Sequence, residues 1–249
     1  MIKNDIYNHI FRLNPKIIGV DAPYGLNSGI MNDEEYRTKI GLRGTVHKNK
    51  KVSEYELSRR NIQAFSTPGD LSEVTGWKTW MKVGFDLYEQ IERIGYRRVN
   101  EANYQTVNNG VLEVFPHASF TILLRYIPEK KNTANGLSER INALNRIGIK
   151  KVESYLRCPI DEQTDRLDAL VSAYTAYTVS IGQASFLGDM FEGEIALPVK
   201  IIKDKYKYKK SDNEILPSYS TKHGEKPSYT IDSGDQNLIY RYENVDSVV

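Results

Sequence analysis

The sequence lacks several features that mark large classes of proteins. Its 249 residues include one cysteine, Cys158, so an internal disulfide and a multi-cysteine zinc site are excluded. No apolar run approaches the roughly 20 residues that a membrane-spanning helix needs, and the N-terminus carries no signal-peptide core. These absences favour a cytoplasmic protein with no membrane partner. The formal net charge of +2 gives no bulk basic field, so any contact with nucleic acid requires a local patch.

Several catalytic signatures are missing as well. The chain has no Gly-x-Ser-x-Gly element, which argues against a serine hydrolase. It has no Walker loop and no dinucleotide fingerprint, which disfavours phosphate transfer to a small molecule. His9, His47 and His223 have no partners at the spacing of metal ligands. What the composition does provide, 40% hydrophobic and 27% charged residues, is typical of a globular protein.

Strands and helices alternate along the first 198 residues. Apolar runs at 16–21 and 110–115 predict buried strands. Apolar residues at helical spacing predict helices, of which 164–181 has the most regular stripe. Further helices are predicted over 4–14, 53–65, 78–94, 118–126 and 137–147. This alternation indicates an α/β sheet with helices packed on it.

The character of the chain changes after Pro198. Residues 200–249 are polar, rich in lysine and poor in periodicity. Within them, Lys203–Lys210 alternates charged and aromatic residues, as an edge strand or an extended arm would. We therefore expect a main domain over residues 1–202 and an extension over 203–249 that forms an arm or a mobile tail.

Acidic residues occur in three separated apolar segments. Glu113 is the only charge in its predicted strand, and Asp21 ends the other one. Asp165 and Asp168 lie near the start of the most regular helix. A carboxylate is expensive to bury alone, whereas Mg²⁺ and Mn²⁺ prefer oxygen ligands and offset the repulsion between converging acids. These four acids predict a site for a divalent metal.

Each acid also has an ordinary structural explanation. Asp21 could form a turn by accepting a hydrogen bond from the backbone of Tyr24. Glu113 could face an arginine or solvent from an edge strand, and an acid near a helix start complements the helix dipole, which would explain Asp165. We favour the metal site because apolar residues flank Glu113 on both sides, which indicates a strand buried on both faces.

Basic and polar side chains supply candidate contacts to phosphate. The candidates are Lys131, Arg140, Arg60 and Thr67. A solvated surface position is the ordinary role of most lysines and arginines. The Lys205–Lys210 run could also hold a single strand by charge and stacking, although a soluble tail explains it equally well.

Taken in order, these segments resemble domain-of-unknown-function family 429, which is described as predicted nucleases with a ribonuclease H-like fold. The resemblance runs from Ile18 to about Pro198. Its specific elements are Glu113-Val114-Phe115-Pro116 and Asp165-x-x-Asp168-Ala169. Weaker elements include Val20-Asp21-Ala22-Pro23.

The resemblance implies a ribonuclease H-like mixed sheet flanked by helices. It implies that Asp21, Glu113 and Asp168 hold Mg²⁺ or Mn²⁺, with Asp165 as a fourth acid, and that the protein hydrolyses phosphodiester bonds of DNA or RNA. All four acids would be catalytic residues on this hypothesis.

One departure from the family pattern is expected. Such folds begin with a first strand whose aspartate lies at the centre of the site, and this chain starts after that point, at the helix before the Asp21 strand. Either Asp21 replaces that acid, or a protein partner or second copy supplies the strand, or the site is incomplete. A non-catalytic binding or assembly subunit is therefore the competing hypothesis.

Overall fold

A computed structural model describes residues 2–42, 47–209, 228–232 and 237–241. The strands are β1 (Ile17–Val20), β2 (Arg97–Arg98), β3 (Gly110–Val114), β4 (Ser185–Asp189), β5 (Gly193–Leu197), β6 (Ser228–Asp232) and β7 (Asn237–Arg241). The helices are α1 (Ile2–Leu13), α2 (Glu34–Lys39), α3 (Val52–Arg59), α4 (Trp80–Arg93), α5 (Pro116–Leu124), α6 (Ala134–Arg146), α7 (Val152–Tyr155) and α8 (Ile160–Ser180). No helix of the described residues is long and apolar enough to span a membrane.

Five strands form a mixed, open sheet. Its order is β1-β3-β5-β4, and β2 pairs with the start of β3. All pairs are parallel except β4 with β5, which is antiparallel. Helices cover both faces, so the predicted α/β class with a mixed sheet is confirmed and is consistent with a ribonuclease H-like arrangement. Strands β6 and β7 form a separate antiparallel pair.

Strand β3 lies at the centre of the sheet because its apolar side chains can be buried on both faces. All five of its residues are buried, as the continuous apolar run predicts. Val111 packs with Ile10 of α1 and Tyr88 of α4 on one face. On the other face, Leu112 packs with Ala176 of α8.

Helix α8 lies unusually close to β1 because residue 19 has no side chain. A Cβ atom built on Gly19 would lie 2.8 Å from the carbonyl oxygen of Ser172 in α8, closer than such atoms can approach. Glycine therefore allows the helix to contact the strand. This contact matters for the site, since Asp21 follows β1 directly and Asp168 lies one helical turn before Ser172.

Most predicted elements occur within a few residues of their expected positions, and five strands were not predicted. Two of these, β6 and β7, lie in the segment expected to be an arm or tail. Strand β2 has two residues, too few for any periodicity, and β4 and β5 carry polar or glycine residues among their apolar ones. Helix α8 begins at Ile160, four residues before the predicted start of its apolar stripe. The residues after Ile160 in its first turn are polar, so the spacing of apolar residues in the sequence does not show where the helix begins.

The first part of the predicted extension packs against the domain. Tyr206 is buried in the core beside Leu57 and Ile62, and its backbone N–H donates to the carbonyl oxygen of Arg60 at 3.0 Å. Tyr208 forms a parallel bridge with Ile127. Residues 203–209 are therefore joined to the main domain. The predicted arm or tail over 210–249 lies outside the described residues, apart from β6 and β7.

One side of β1 faces a groove rather than another strand. Among the described strands, β1 pairs with β3 alone. The groove has a volume of about 940 Å³, and α1, α4 and α8 form its walls. Its apolar lining includes Leu13 and Val83, both well exposed. The sequence predicts a helix directly before the Asp21 strand, and α1 occupies that place.

Replacing Gly19 with alanine tests the contact between β1 and α8. The added methyl group would collide with the Ser172 carbonyl, so we expect Gly19→Ala to lower the free energy of unfolding by about 1–3 kcal/mol, measured by urea denaturation. Gly25→Ala is the matched control, since a Cβ there meets no atom within 4 Å. Equal stability of the two variants would contradict the close packing.

Candidate carboxylate site

Two carboxylates predicted from the sequence share the groove beside β1. Asp21 follows the carboxyl end of the strand, where ligands bind in many α/β sheets. Asp168 projects from α8, and both residues line the groove together with Asp165 and Lys131. The close approach of α8 to Gly19 brings the two aspartates to the same wall. The chain thus places acids from a strand and a helix beside one open space.

The groove changes the acidity of Asp21. Asp21 is an exposed residue that lines the groove, yet the surrounding protein displaces much of the hydration water of its carboxyl. This desolvation, followed by repulsion from the Asp168 carboxylate, raises the pKa of Asp21 to about 7. The Lys131 ammonium opposes the change, and the charges of Glu113 and Asp165 add to it. Asp21 is therefore partly protonated at neutral pH.

Lys131 neutralises the acids of α8. Its Nζ lies 2.7 Å from Oδ2 of Asp168 and 3.9 Å from Oδ1 of Asp165. Asp168 is buried, and desolvation raises its pKa, although the hydrogen bond from Lys131 opposes the rise. The Asp165 side chain is 82% exposed. The ammonium group thus offsets part of the negative charge at this end of the groove.

Glu113 is held on the other side of the turn that follows Asp21. Its Oε2 accepts a hydrogen bond from the backbone N–H of Tyr24 at 2.9 Å, so the carboxylate ties the residues after β1 to β3. Lys51 Nζ lies 3.8 Å from the same oxygen, and both side chains are buried. Burial raises the pKa of Glu113, and the charges of Lys51 and Arg98 oppose the rise.

Sequence reasoning missed the two cations beside Glu113. Lys51 belongs to a lysine-rich stretch that looks solvated, and Arg98 lies in a loop-like segment. In the structure, the Arg98 guanidinium stacks on the Tyr24 ring at 4.0 Å. A Cβ on Gly193 would lie 2.9 Å from Arg98 Nη2 and 3.1 Å from Lys51 Nζ. Glycine at position 193 therefore makes room for both cations, which no local pattern reveals.

The four predicted acids do not form a single ligand set. Asp21, Asp165 and Asp168 line the groove, whereas Glu113 bonds to the Tyr24 backbone and Lys51. Over residues 2–42 and 47–209, no three His, Cys, Asp or Glu residues are arranged to hold a metal ion. Asp21, Asp165 and Asp168 supply carboxylate oxygens, the donor atoms that hard divalent cations prefer.

The predicted nucleic-acid contacts occupy different environments. Lys131 is about half exposed at the groove. Arg140 is 3% exposed, and its Nη1 donates to the carbonyl oxygens of Glu129 and Gly136. Arg60 and Thr67 are also buried. Of these four residues, Lys131 alone is placed to contact a phosphate, since the other three hold protein structure together.

Arg60 and Thr67 illustrate those structural roles. Arg60 Nη1 bonds to the carbonyl oxygen of Glu56 at 2.8 Å and to its carboxylate. The Thr67 backbone N–H donates to Oε1 of Glu54 at 2.7 Å. Whether a polar residue is buried depends on distant parts of the chain, so the sequence alone does not distinguish these roles from phosphate binding.

Comparison with known proteins gives one match. The family model described as "Protein of unknown function (DUF429)" matches residues 2–192, which includes all four predicted acids. A search of curated proteins and a search of solved structures each find no match.

The raised pKa of Asp21 predicts a pH-dependent effect on stability. Because the folded protein holds this proton more tightly than the unfolded chain, protonation stabilises the fold most below about pH 4, and this stabilisation is lost as the pH rises through about 7. Asp21→Asn cannot ionise. We therefore expect its melting temperature, relative to the wild type, to rise between about pH 4 and pH 8 by calorimetry. Asp165→Asn, at an exposed position, is the control and should show no such trend.

The buried pair of Glu113 and Lys51 predicts strong coupling. Lys51→Met removes a cation and leaves the Glu113 carboxylate buried, so we expect a loss of about 3–5 kcal/mol in unfolding free energy. Adding Glu113→Gln to Lys51→Met should restore part of the lost unfolding free energy, because it removes the carboxylate that Lys51→Met leaves buried without its cation. Urea denaturation measures both, with Lys39→Met at an exposed position as the control. A double variant no more stable than Lys51→Met would refute the coupling.

Proposed function

The chain belongs to the DUF429 family, and we propose that it is a divalent-metal-dependent nuclease that hydrolyses phosphodiester bonds of nucleic acid. The observation that carries the proposal is the pair of Asp21 and Asp168. Desolvation raises the pKa of both carboxyls. Repulsion from Asp168 adds to the rise for Asp21, whose pKa reaches about 7, and repulsion from Asp165 adds to the rise for Asp168. They lie in a groove wide enough to admit a ligand, and such an arrangement favours the binding of a cation.

The groove residues have two proposed roles, which are binding the metal ion and contacting the substrate phosphate. Asp21 and Asp168 would hold Mg²⁺ or Mn²⁺, and the exposed Asp165, which lines the same groove, would be the fourth acid of the site. Such an ion, when bound, activates water and stabilises the leaving oxygen of a phosphodiester. Lys131 shares the Asp168 carboxylate, so ion binding would release its ammonium group toward the substrate phosphate.

Glu113 acts through the backbone in this proposal. Its bond to the Tyr24 N–H fixes the turn that begins at Asp21, and the positive charge of Lys51 opposes the rise in the pKa of Glu113 that burial causes. Glu113 is thus a positioning residue in the metal-free protein, whereas the sequence suggests a direct ligand. We assign the activity to the cytoplasm, which suits a chain with one cysteine.

An assembly subunit is the second candidate function. The observation that favours it is that β1 pairs, among the strands of the described residues, on its β3 side alone, and its other side faces an apolar groove. Exposed strand edges pair readily with other chains. On this alternative, Lys131 neutralises the acids permanently and the groove receives a protein partner or a second copy. The two candidates differ in whether a divalent metal binds to the isolated protein.

Calorimetric titration of Mn²⁺ tests the nuclease proposal. We expect binding to the wild type that tightens as the pH rises through about 7, because Asp21 must lose its proton. Asp21→Asn and Asp168→Asn should abolish it, and Asp165→Asn should weaken it roughly 10-fold, as loss of an outer partner does. Cleavage of labelled DNA and RNA should follow the same order.

Retention of fold in each variant is checked by circular dichroism. Metal-dependent cleavage that survives in the Asp21→Asn, Asp168→Asn double variant would refute the assignment. If the wild type binds no Mn²⁺ and light scattering shows a stable oligomer, the assembly function is supported instead.

A further inference from the structure

Three aromatic side chains form an exposed cluster next to the groove. Phe65 is 57% exposed, Trp77 63% and Trp80 37%. The ring centroids of Phe65 and Trp77 are 5.1 Å apart, and those of Phe65 and Trp80 are 6.2 Å apart. Large apolar side chains of this kind are usually buried, so a cluster of three at the surface indicates a contact surface for a ligand or partner.

The cluster stands on a well-supported loop. The Thr67 backbone is fixed by the buried Glu54 carboxylate, and the Pro68 carbonyl oxygen accepts a hydrogen bond from the Asn27 N–H at 2.9 Å. Lys78 Nζ donates to the carbonyl oxygen of Ser66 at 3.2 Å. These bonds hold the loop between Phe65 and Trp77, so the rings are presented by a fixed surface and lose little freedom when a ligand binds.

Polar and basic groups lie along one side of the cluster. Lys78 Nζ is 5.6 Å from the centre of the Trp77 ring. It also lines a neighbouring pocket of about 420 Å³, together with Lys48 and the side of the loop at Ser66 and Thr67. Glu73 is the acidic residue of that lining. Aromatic faces beside two lysines suit a ligand that carries both flat rings and negative charges.

Trp80 connects the cluster to the carboxylate groove. It lines the groove that contains Asp21 and Asp168, and its ring contacts that of Phe65. A ligand stacked on the cluster would therefore continue directly toward the two carboxylates.

We propose that Phe65, Trp77 and Trp80 form a stacking platform for single-stranded nucleic acid, with Lys78 and Lys48 near its phosphates. The proposal rests on the proposed nuclease function and names its substrate as a single strand. Unpaired bases offer flat faces to aromatic rings, whereas the bases of a duplex are already stacked on one another. A protein partner would need no phosphate-binding lysines, so the charges favour the nucleic acid.

The two tryptophans allow a direct test, because the chain contains no others. In buffer with EDTA, which prevents metal-dependent cleavage, an oligodeoxythymidine should quench the intrinsic fluorescence of the full-length protein. Affinity is measured separately by the anisotropy of a labelled oligonucleotide, with single-stranded RNA and a duplex for comparison. We expect single strands to bind more tightly than the duplex, and binding to weaken with added salt.

Substitutions on the platform separate stacking from folding. Trp77→Ala should weaken single-strand binding about 5- to 150-fold, as loss of one stacked base does, whereas Trp77→Phe should retain most of the affinity. Tyr155→Ala removes another exposed aromatic ring, on α7, and should change nothing. The proposal is overturned if the oligonucleotide leaves the fluorescence unchanged, if Trp77→Ala binds as well as the wild type, or if the duplex binds more tightly.

Two further outcomes separate this proposal from the nuclease. If Asp168→Asn binds single strands, the platform is supported. If the wild type also cleaves no nucleic acid, the nuclease proposal is refuted while the platform stands. Cleavage by the wild type at the same catalytic efficiency in Trp77→Ala refutes the platform and leaves the nuclease. If light scattering shows that Trp77→Ala dissociates a wild-type dimer, the surface is a contact between copies and the platform is refuted.

Discussion

A carboxylate in the middle of the sheet is the constraint on which much of the fold depends. Glu113 lies on the fully buried central strand, where an isolated charge would be strongly unfavourable. Two cations compensate this charge, Lys51 at the start of α3 and Arg98 at the end of β2. Gly193 on β5 leaves space for both side chains. One buried charge thus fixes the relative positions of three separate elements around β3.

The groove carboxylates show the opposite case, in which the compensation is incomplete. Glu113 has a backbone donor and two nearby cations. Lys131 pairs with Asp168 and opposes the rise in the pKa of Asp21, and the Arg140 charge also acts on Asp168. The first arrangement stabilises a fold, and the second leaves an excess of negative potential at an opening to solvent. Sites that act on ligands commonly keep such an imbalance.

The sequence predicts those parts of the fold that local patterns control. The unbroken apolar run around Glu113 identifies a strand buried on both faces, and the stripe from Leu167 to Ile181 identifies α8. Asp21 and Asp168 were found because each ends or begins an apolar segment. The role of Lys51 beside Glu113 and the burial of Arg140 were not predicted, since both depend on contacts with distant segments of the chain. The aromatic cluster was missed for the same reason, as Phe65 and the tryptophans lie in different elements.

The unpaired side of β1 also has a fixed geometry. Gly110 donates its N–H to the carbonyl oxygen of Lys16, and in a parallel pair the bonding residues alternate. The backbone groups of Ile17 and Gly19 therefore point away from β3, into the groove. An extended chain joining this edge could shift along it only in steps of two residues, because a single step would exchange the faces of all its side chains. The edge therefore restricts the registers of such a chain to two-residue intervals, and the position after Gly19 in this series is Asp21.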